Sequence, residues 1–201
     1  MKLIAVLCHN RNKAKKILKE VPNNSVVLLP ESLWMKKYII NYYSKKKNLF
    51  VIYNVDIVIK GKHYITMKGV DKGKLLWMVH KYFLWSTGDG YWTPAPKLDP
   101  IVKIRGHTAA IAICYEISKV AGCNKLFQIG KIIKKAKAEI LLMPADWWFN
   151  WRLPQSALTS AFNNIPSLKV GIFSCRRELA FASTKLKRRK ITKKGWVSVE
   201  I

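Results

Sequence analysis

The chain has 201 residues, half of them hydrophobic, with 37 lysines and arginines against 11 acidic residues and a formal net charge of +26. This length and apolar content predict one globular domain with a sizeable core and exclude a disordered chain. No apolar run reaches the length of a membrane-spanning helix. The four cysteines form no CxxC pair, and the four histidines lack ligand spacing. We therefore expect no metal, no cofactor and a reducing, cytoplasmic setting.

The positive charge is spread along the whole chain and is densest in its C-terminal segment, 184–201. A field of this sign attracts nucleic acid, anionic membrane surfaces and acidic substrates. It is equally compatible with a lysine-rich surface that has no dedicated partner. The charge therefore predicts non-specific contact with nucleic acid or anionic membranes and leaves a specific partner open.

Strands and helices alternate along the first half of the chain. The segment Val21-Pro22-Asn23-Asn24 ends the first helix, and Lys60-Gly61-Lys62 forms a turn between two strands. Apolar runs and helical periodicity predict strands over 2–8, 25–29, 49–53, 55–59, 63–68 and 74–80, and helices over 12–20 and 33–47.

The second half begins with a long loop, 85–100, rich in Gly, Pro, Trp and Thr, that could wall a pocket. After it, an Arg105-Gly106 turn joins two strands. The pattern predicts strands over 101–104, 108–113, 140–143, 168–174 and 196–201, and helices over 126–137 and 154–164. This alternation, with hairpins interposed, predicts a single α/β layered domain, 1–201, that contains mixed sheets and a basic C-terminal segment, 184–201.

The most informative stretch is 109–116, Ala-Ala-Ile-Ala-Ile-Cys-Tyr-Glu, an apolar run that predicts a buried strand ending on Cys114. A thiol at the carboxyl end of a buried strand is well placed to act as a nucleophile, because open α/β architectures collect their chemistry at such ends. The alternative is a buried structural cysteine, which is common for free cysteines. Cys123 and Cys175 are expected to be bystanders.

Two other predicted strands also end on reactive groups. Val26 to Leu29 leads to the carboxylate of Glu31, and Met78 to His80 leads to the ammonium of Lys81. Each has an ordinary explanation, since Glu31 could complement a helix N-terminus and Lys81 is one lysine among many. Together with Cys114, they could supply a base, an electrophile and a nucleophile.

In this order, three blocks resemble those of the carbon–nitrogen hydrolase (nitrilase) superfamily: Leu-Leu-Pro-Glu at 28–31, His-Lys at 80–81 and Ile-Cys-Tyr-Glu at 113–116. The stretch 140–148, Ile-Leu-Leu-Met-Pro-Ala-Asp-Trp-Trp, resembles the strand that follows the nucleophile in that family. The Cys-Tyr-Glu and Asp-Trp-Trp-Phe segments look closest to the apolipoprotein N-acyltransferase branch. The resemblance implies a nitrilase-like αββα sandwich, a homodimer and a Glu31, Lys81 and Cys114 triad.

The resemblance also suggests roles for neighbouring residues. Asp89 stands where the family often has a second glutamate, and with Glu116 it could keep the lysine charged and orient the network. Lys81 and the backbone amide of Tyr115 would stabilise an oxyanion. Three tryptophans could line an acyl pocket, although core packing explains each of them as well: Trp85, Trp147 and Trp148.

The first hypothesis for function is a thiol-dependent hydrolase or acyltransferase that acts on a non-peptide C–N bond through a cysteine thioester. Its substrate would be a small amide, nitrile or acyl donor, with an amide favoured. The second hypothesis is a catalytically idle basic protein on the same scaffold, which binds nucleic acid or an anionic membrane.

Overall fold

A computed structural model describes residues 1–31, 33–84, 91–117, 125–146, 152–175, 180–185, 190–192 and 195–201. The strands are β1 (Lys2–Val6), β2 (Val26–Leu28), β3 (Phe50–Ile59), β4 (Lys62–Asp71), β5 (Lys74–His80), β6 (Ile101–Ile104), β7 (His107–Ile111), β8 (Ile140–Ala145), β9 (Val170–Cys175), β10 (Ala180–Thr184), β11 (Lys190–Thr192) and β12 (Trp196–Glu200). The helices are α1 (Arg11–Glu20), α2 (Lys37–Lys46), α3 (Lys125–Lys135) and α4 (Arg152–Asn164), with a short 3-10 helix over Cys114–Ile117.

The strands form two six-stranded sheets. The first sheet has the order β12-β1-β2-β3-β4-β5. In it β1, β2 and β3 run parallel, whereas β3, β4 and β5 form an antiparallel meander and β12 pairs antiparallel with β1. The carboxyl ends of β2, β3 and β5 therefore lie at the same edge of this sheet.

The second sheet has the order β11-β10-β9-β8-β7-β6. Its central strands β7, β8 and β9 run parallel, and antiparallel β6, β10 and β11 complete it on either side. Every residue of β8 and β9 is buried. Burial on both faces is the pattern of a central parallel strand covered on both sides.

Three apolar layers separate the elements. One lies between the two sheets and takes Phe50 and Ile52 from the first sheet and Ile111 and Leu142 from the second. Another lies between the first sheet and helices α1 and α2, and the third lies between the second sheet and helices α3 and α4. The order of layers is therefore α, β, β, α, which confirms the predicted sandwich.

Side-chain alternation along β3 explains how one strand serves two layers. Phe50 and Ile52 face the other sheet, whereas Val51 and Tyr53 face the helices. Successive side chains of a strand point to opposite faces. A strand that is apolar on both faces therefore fits only where both faces are covered.

Several element boundaries differ from the prediction. The predicted strands 49–53 and 55–59 are one strand, because all ten β3 residues pair with β4. Helix α2 begins at Lys37 instead of residue 33, since Leu33 and Met35 are buried in non-helical chain before it. The sequence pattern predicts neither β10 nor β11. Within the described residues, no helix is both long and apolar enough to cross a bilayer.

Candidate active site

Glu31 and Lys81 meet in the interior. Glu31 follows β2 and Lys81 directly follows β5, so both side chains leave the same edge of the first sheet. The Lys81 Nζ donates to Glu31 Oε1 at 3.0 Å, and the two residues are 2 % and 3 % exposed. The backbone of Lys81 is fixed as well, because its N–H donates to the Ile65 carbonyl and its own carbonyl accepts from Ala95. The pair is therefore buried and rigidly held.

Cys114 lies just beyond β7 in the second sheet, at the start of the 3-10 helix, and is partly exposed. Its backbone has φ 48°, in the left-handed region that non-glycine residues rarely adopt. Such a conformation costs on the order of 1 kcal/mol and persists only where the surrounding structure imposes it. Here the chain turns sharply from strand to helix at the sulfur-bearing residue.

The sulfur of Cys114 contacts the carboxylate of Glu31. Burial and the negative charge of Glu31 raise the pKa of the Cys114 thiol well above its usual value, and a hydrogen bond to Glu31 raises it further. The charge of Lys81 and the backbone N–H of Asp146, which donates to the sulfur, act in the opposite direction. The Cys114 thiol is therefore neutral at rest and lies beside a carboxylate that can accept its proton. The Lys81 charge and the Asp146 N–H would stabilise the thiolate once it forms.

Glu116 ties the two sheets together beside this cluster. Its Oε1 accepts the backbone N–H groups of Tyr82 and Phe83 at 2.7 and 3.2 Å. Its Oε2 accepts the N–H of Ile113 at 2.7 Å. Burial raises the pKa of Glu116 to about 7, against the opposing effects of these donors and of the Lys81 charge. One carboxylate therefore fixes the segment after Lys81 to the segment before Cys114.

Five residues named in the sequence analysis lie outside the part of the chain that the structure describes: Asp89, Trp85, Trp147, Trp148 and Cys123. Tyr115 belongs to the 3-10 helix, which sets its backbone directly beside Cys114.

The two other cysteines among the described residues, Cys8 and Cys175, are buried. Cys8 lies in the layer between the first sheet and its helices, and Cys175 in the layer between the second sheet and its helices. Burial raises the pKa of the Cys8 thiol to about 12. Within the part of the chain that is described, no three His, Cys, Asp or Glu side chains are grouped so that they could hold a metal ion.

Sequence reasoning overlooked Asp146. It follows β8 directly, at the same edge of the second sheet as Cys114, and its backbone N–H reaches the sulfur. Its position was visible in the sequence, because Asp146 stands at the carboxyl end of a buried strand as the other three groups do. Its role was not visible, because a backbone donor has no signature in residue type.

Comparison with known proteins supports the fold. The chain superimposes on an amidase of the nitrilase superfamily from Nesterenkonia AN1 with a TM-score of 0.78 and 9% identity, over 100% of this chain and 90% of that one. Saccharomyces cerevisiae Nit3, of branch 10 of the same superfamily, gives a TM-score of 0.77 and 11% identity over 98% and 89% of the two chains. A CN-hydrolase superfamily protein from Xanthomonas campestris gives 0.75 and 10%, over 99% and 89%.

No protein-family model and no curated protein sequence matches the chain. At these identities the structural likeness defines the fold, which is the nitrilase-like αββα sandwich that the sequence predicted. The resemblance to the apolipoprotein N-acyltransferase branch stays a prediction from the sequence.

Proposed function

We propose that this chain is a thiol-dependent enzyme that cleaves the C–N bond of a small amide through a thioester on Cys114. The observation that carries this proposal is the position of the Glu31 carboxylate, which contacts both the Lys81 ammonium and the Cys114 thiol. A buried base and a buried cation beside a partly exposed thiol are the groups that nucleophilic catalysis would use, and this arrangement supports the proposal.

Acylation begins when the Cys114 sulfur attacks the carbonyl carbon of the amide. Glu31 takes the thiol proton as the S–C bond forms, and the carbonyl oxygen becomes an oxyanion. Lys81 and the backbone amide of Tyr115 stabilise that oxyanion, and one such donor is typically worth about 3 kcal/mol. The C–N bond then breaks as Glu31 returns its proton to the leaving nitrogen, which departs as ammonia or an amine. A positioned acid–base group of this kind contributes about 10²–10⁴-fold in rate.

Deacylation repeats the same steps with a second nucleophile. Glu31 takes a proton from water or from an acceptor amine, whose oxygen or nitrogen attacks the thioester carbon. The C–S bond breaks and the sulfur recovers the proton from Glu31. Water yields a carboxylic acid and an amine yields a new amide, so the same thioester serves hydrolysis and acyl transfer.

The electrostatics of the cluster suit this sequence of steps. Because the pKa of Cys114 is raised, the thiol is neutral at rest, and its proton leaves only as the bond to carbon forms. The buried Lys81 is kept in place by its 3.0 Å contact with Glu31. When Glu31 is protonated, the Lys81 charge is no longer compensated by it and becomes available to the oxyanion.

The similar structures agree with a reactive cysteine on this scaffold. A variant of the Nesterenkonia amidase carries acrylamide at its active-site cysteine, and the Xanthomonas protein carries an arsenic adduct in its active site. By analogy, Cys114 is the residue that would be modified in this chain.

The test is turnover of a panel of primary amides, secondary amides, nitriles and acyl esters by the full chain, with release of ammonia, amine or alcohol as the readout. We expect at least one amide to be turned over, Cys114→Ala to abolish turnover, and Cys175→Ala to retain it. Adding hydroxylamine should divert the acyl group to a hydroxamate if a thioester forms. Turnover that survives Cys114→Ala, or no turnover of any panel member, would contradict the proposal and favour a non-catalytic role for the scaffold.

A further inference from the structure

An exposed apolar surface lies on the outside of the first sheet, beside helix α2. Tyr38 and Tyr42, one helical turn apart on α2, are 66% and 51% exposed. On the neighbouring edge strand β5, Leu75, Leu76 and Met78 are 48%, 55% and 48% exposed. We call these five residues, with the lysines around them, the α2–β5 face.

The two elements of this face are both neighbours of strand β4. Leu75 pairs with Val70, which packs into the layer beneath α2, and Met78 pairs with Lys68 on β4. Burial lowers the pKa of Lys68, and the nearby charge of Lys37 on α2 lowers it further. Lys68 is therefore near Lys37 of α2 and is the strand partner of Met78.

At the C-terminal end of α2, the helix contacts the turn between β4 and β5. The Lys45 side chain lies against Gly73, and the Gly73 N–H donates to the Ser44 hydroxyl of α2 at 2.9 Å. The face thus extends along the helix from its first turn to its last.

Five lysines belong to α2, β4 and β5, the elements that form or adjoin this face: Lys37, Lys45, Lys46, Lys68 and Lys74. Helix α2 contains no acidic residue. Asp71, at the end of β4, is engaged by Arg105 at 2.8 Å. Lys46 donates to the Tyr42 hydroxyl and lies over its ring, so cation and aromatic ring present one surface. The face therefore combines apolar, aromatic and cationic groups.

We propose that the α2–β5 face docks on the surface of an anionic lipid bilayer. The lysines match anionic headgroups, the tyrosines suit the interfacial region, and the leucines and methionine can enter the acyl boundary. A nucleic acid offers phosphates to the lysines but no comparable apolar medium for Leu75, Leu76 and Met78. The combination on one face favours the bilayer over nucleic acid.

The experiment is co-sedimentation of the full chain with phosphatidylcholine vesicles, with and without about 30 % phosphatidylserine, at about 0.1 M salt. The charge variant carries Lys45→Gln, Lys46→Gln and Lys74→Gln. Its matched control carries Lys131→Gln, Lys134→Gln and Lys135→Gln on α3, in the opposite outer layer. An apolar variant carries Leu76→Ser and Met78→Ser.

We expect binding only to the phosphatidylserine vesicles. The charge variant should lose on the order of 100-fold in partition coefficient, since each lysine at an anionic surface contributes about 5-fold. The α3 control should lose far less, and the apolar variant about 10-fold. Cys114→Ala should bind as the wild type does, which separates this proposal from the proposed catalysis.

Hydrogen exchange of the unmodified protein supplies a measurement that needs no variant. Vesicles should slow exchange in 37–46 and 74–80 and leave α3 unchanged. The proposal would be overturned by equal binding to neutral vesicles or by equal losses of binding in the α3 control and the charge variant. Slowed hydrogen exchange in other segments, and not in 37–46 and 74–80, would also overturn it. Two further results would contradict it. One is that the protein binds a single-stranded oligonucleotide and not the vesicles, and the other is that it forms a dimer that the Leu76→Ser and Met78→Ser substitutions dissociate.

Discussion

Cys114 holds its left-handed backbone conformation at a position where β7 and β8 anchor the chain on one side and the 3-10 helix on the other. In L-residues this conformation places Cβ too close to the following carbonyl oxygen, at a cost of about 1 kcal/mol. The thiol of Cys114 is thus positioned by its backbone as well as by side-chain packing. The strain is therefore attributable to the placement of the sulfur.

Replacing Cys114 by glycine should relieve this strain, whereas replacing it by alanine should not. We expect Cys114→Gly to be about 1 kcal/mol more stable than Cys114→Ala, measured as the free energy of unfolding in urea. The comparison position is Ala112, which is fully buried two residues earlier and does not have positive φ. There Ala112→Gly should be destabilising. A Cys114→Gly variant that is less stable than Cys114→Ala would contradict the account.

We expect Glu116 to make the stability of the folded protein depend on pH. Its pKa is raised from 4.5 to about 7 in the folded protein, mainly by burial. The folded state therefore holds this proton more tightly than the unfolded chain does. The resulting stabilisation is fully present below pH 4.5 and is lost as the pH rises through about 7. In Glu116→Gln this contribution should disappear.

The measurement is urea unfolding at a series of pH values between about 4.5 and 8. The wild type should lose on the order of 3 kcal/mol more than Glu116→Gln does across this range. Glu20→Gln, an exposed carboxylate on α1, serves as the control for loss of one negative charge. Identical profiles for the wild type and Glu116→Gln would show that this carboxyl does not titrate in the proposed window.

At the scale of elements, the site depends on strand ends. Glu31, Lys81, Cys114 and Asp146 each follow a strand, and the parallel arrangement of those strands brings them to one end of the sandwich. Apolar runs that end on a reactive residue are visible in sequence, which is why the first three could be predicted. Contact between the two sheets, and the backbone donor of Asp146, depend on tertiary packing that periodicity does not encode.

The missed elements have similar physical reasons. Strand β10, Ala180–Thr184, is defined by its antiparallel pairing with the preceding strand β9, from Ala180 opposite Ser174 to Thr184 opposite Val170, rather than by a pattern in its own residues. The apolar residues of 33–36 have a spacing compatible with a helix, yet Leu33 and Met35 are buried in non-helical chain. Over four residues, the spacing of apolar positions does not separate a helix from other buried chain.

Arg105 joins the two sheets through the β6–β7 turn. Its guanidinium donates to the carbonyls of Asn24 and Asn48 and forms a 2.8 Å ion pair with Asp71, all in the first sheet's half of the molecule. The side chains of Arg105 and Asp71 are only 19% and 18% exposed. Removing the arginine would take a hydrogen-bond donor from two partly buried acceptors, the Asn48 carbonyl and the Asp71 carboxylate.

We expect Arg105→Ala to destabilise the protein by about 2–3 kcal/mol, measured by urea unfolding. Lys97→Ala removes a cation from an ion pair with Asp99 whose side chains are 78% and 58% exposed. Such exposed pairs contribute about 0–1 kcal/mol, so this variant should be nearly neutral. Equal effects of the two substitutions would show that Arg105 does not join the sheets.

For the whole molecule, a net charge of +26 on 201 residues implies self-repulsion in the folded state. We expect the melting temperature to rise by several degrees when sodium chloride increases from about 0.02 to 0.3 M, because screening shortens the reach of the lysine charges. A series in sodium sulfate at equal ionic strength separates screening from the exclusion effect of sulfate. A melting temperature that falls or stays constant in chloride would contradict this view of the surface.

The central claim is that Glu31, Lys81 and Cys114 act as one catalytic unit, and intact-mass analysis of the acylated protein tests it most directly. After incubation with an activated acyl donor, the wild type should carry one acyl group, mapped by digestion to Cys114. Glu31→Gln should slow its formation by at least about 100-fold, while Glu20→Gln should not. Acylation that falls on Cys8, Cys175 or surface lysines, or that proceeds equally fast in Glu31→Gln, would contradict the account.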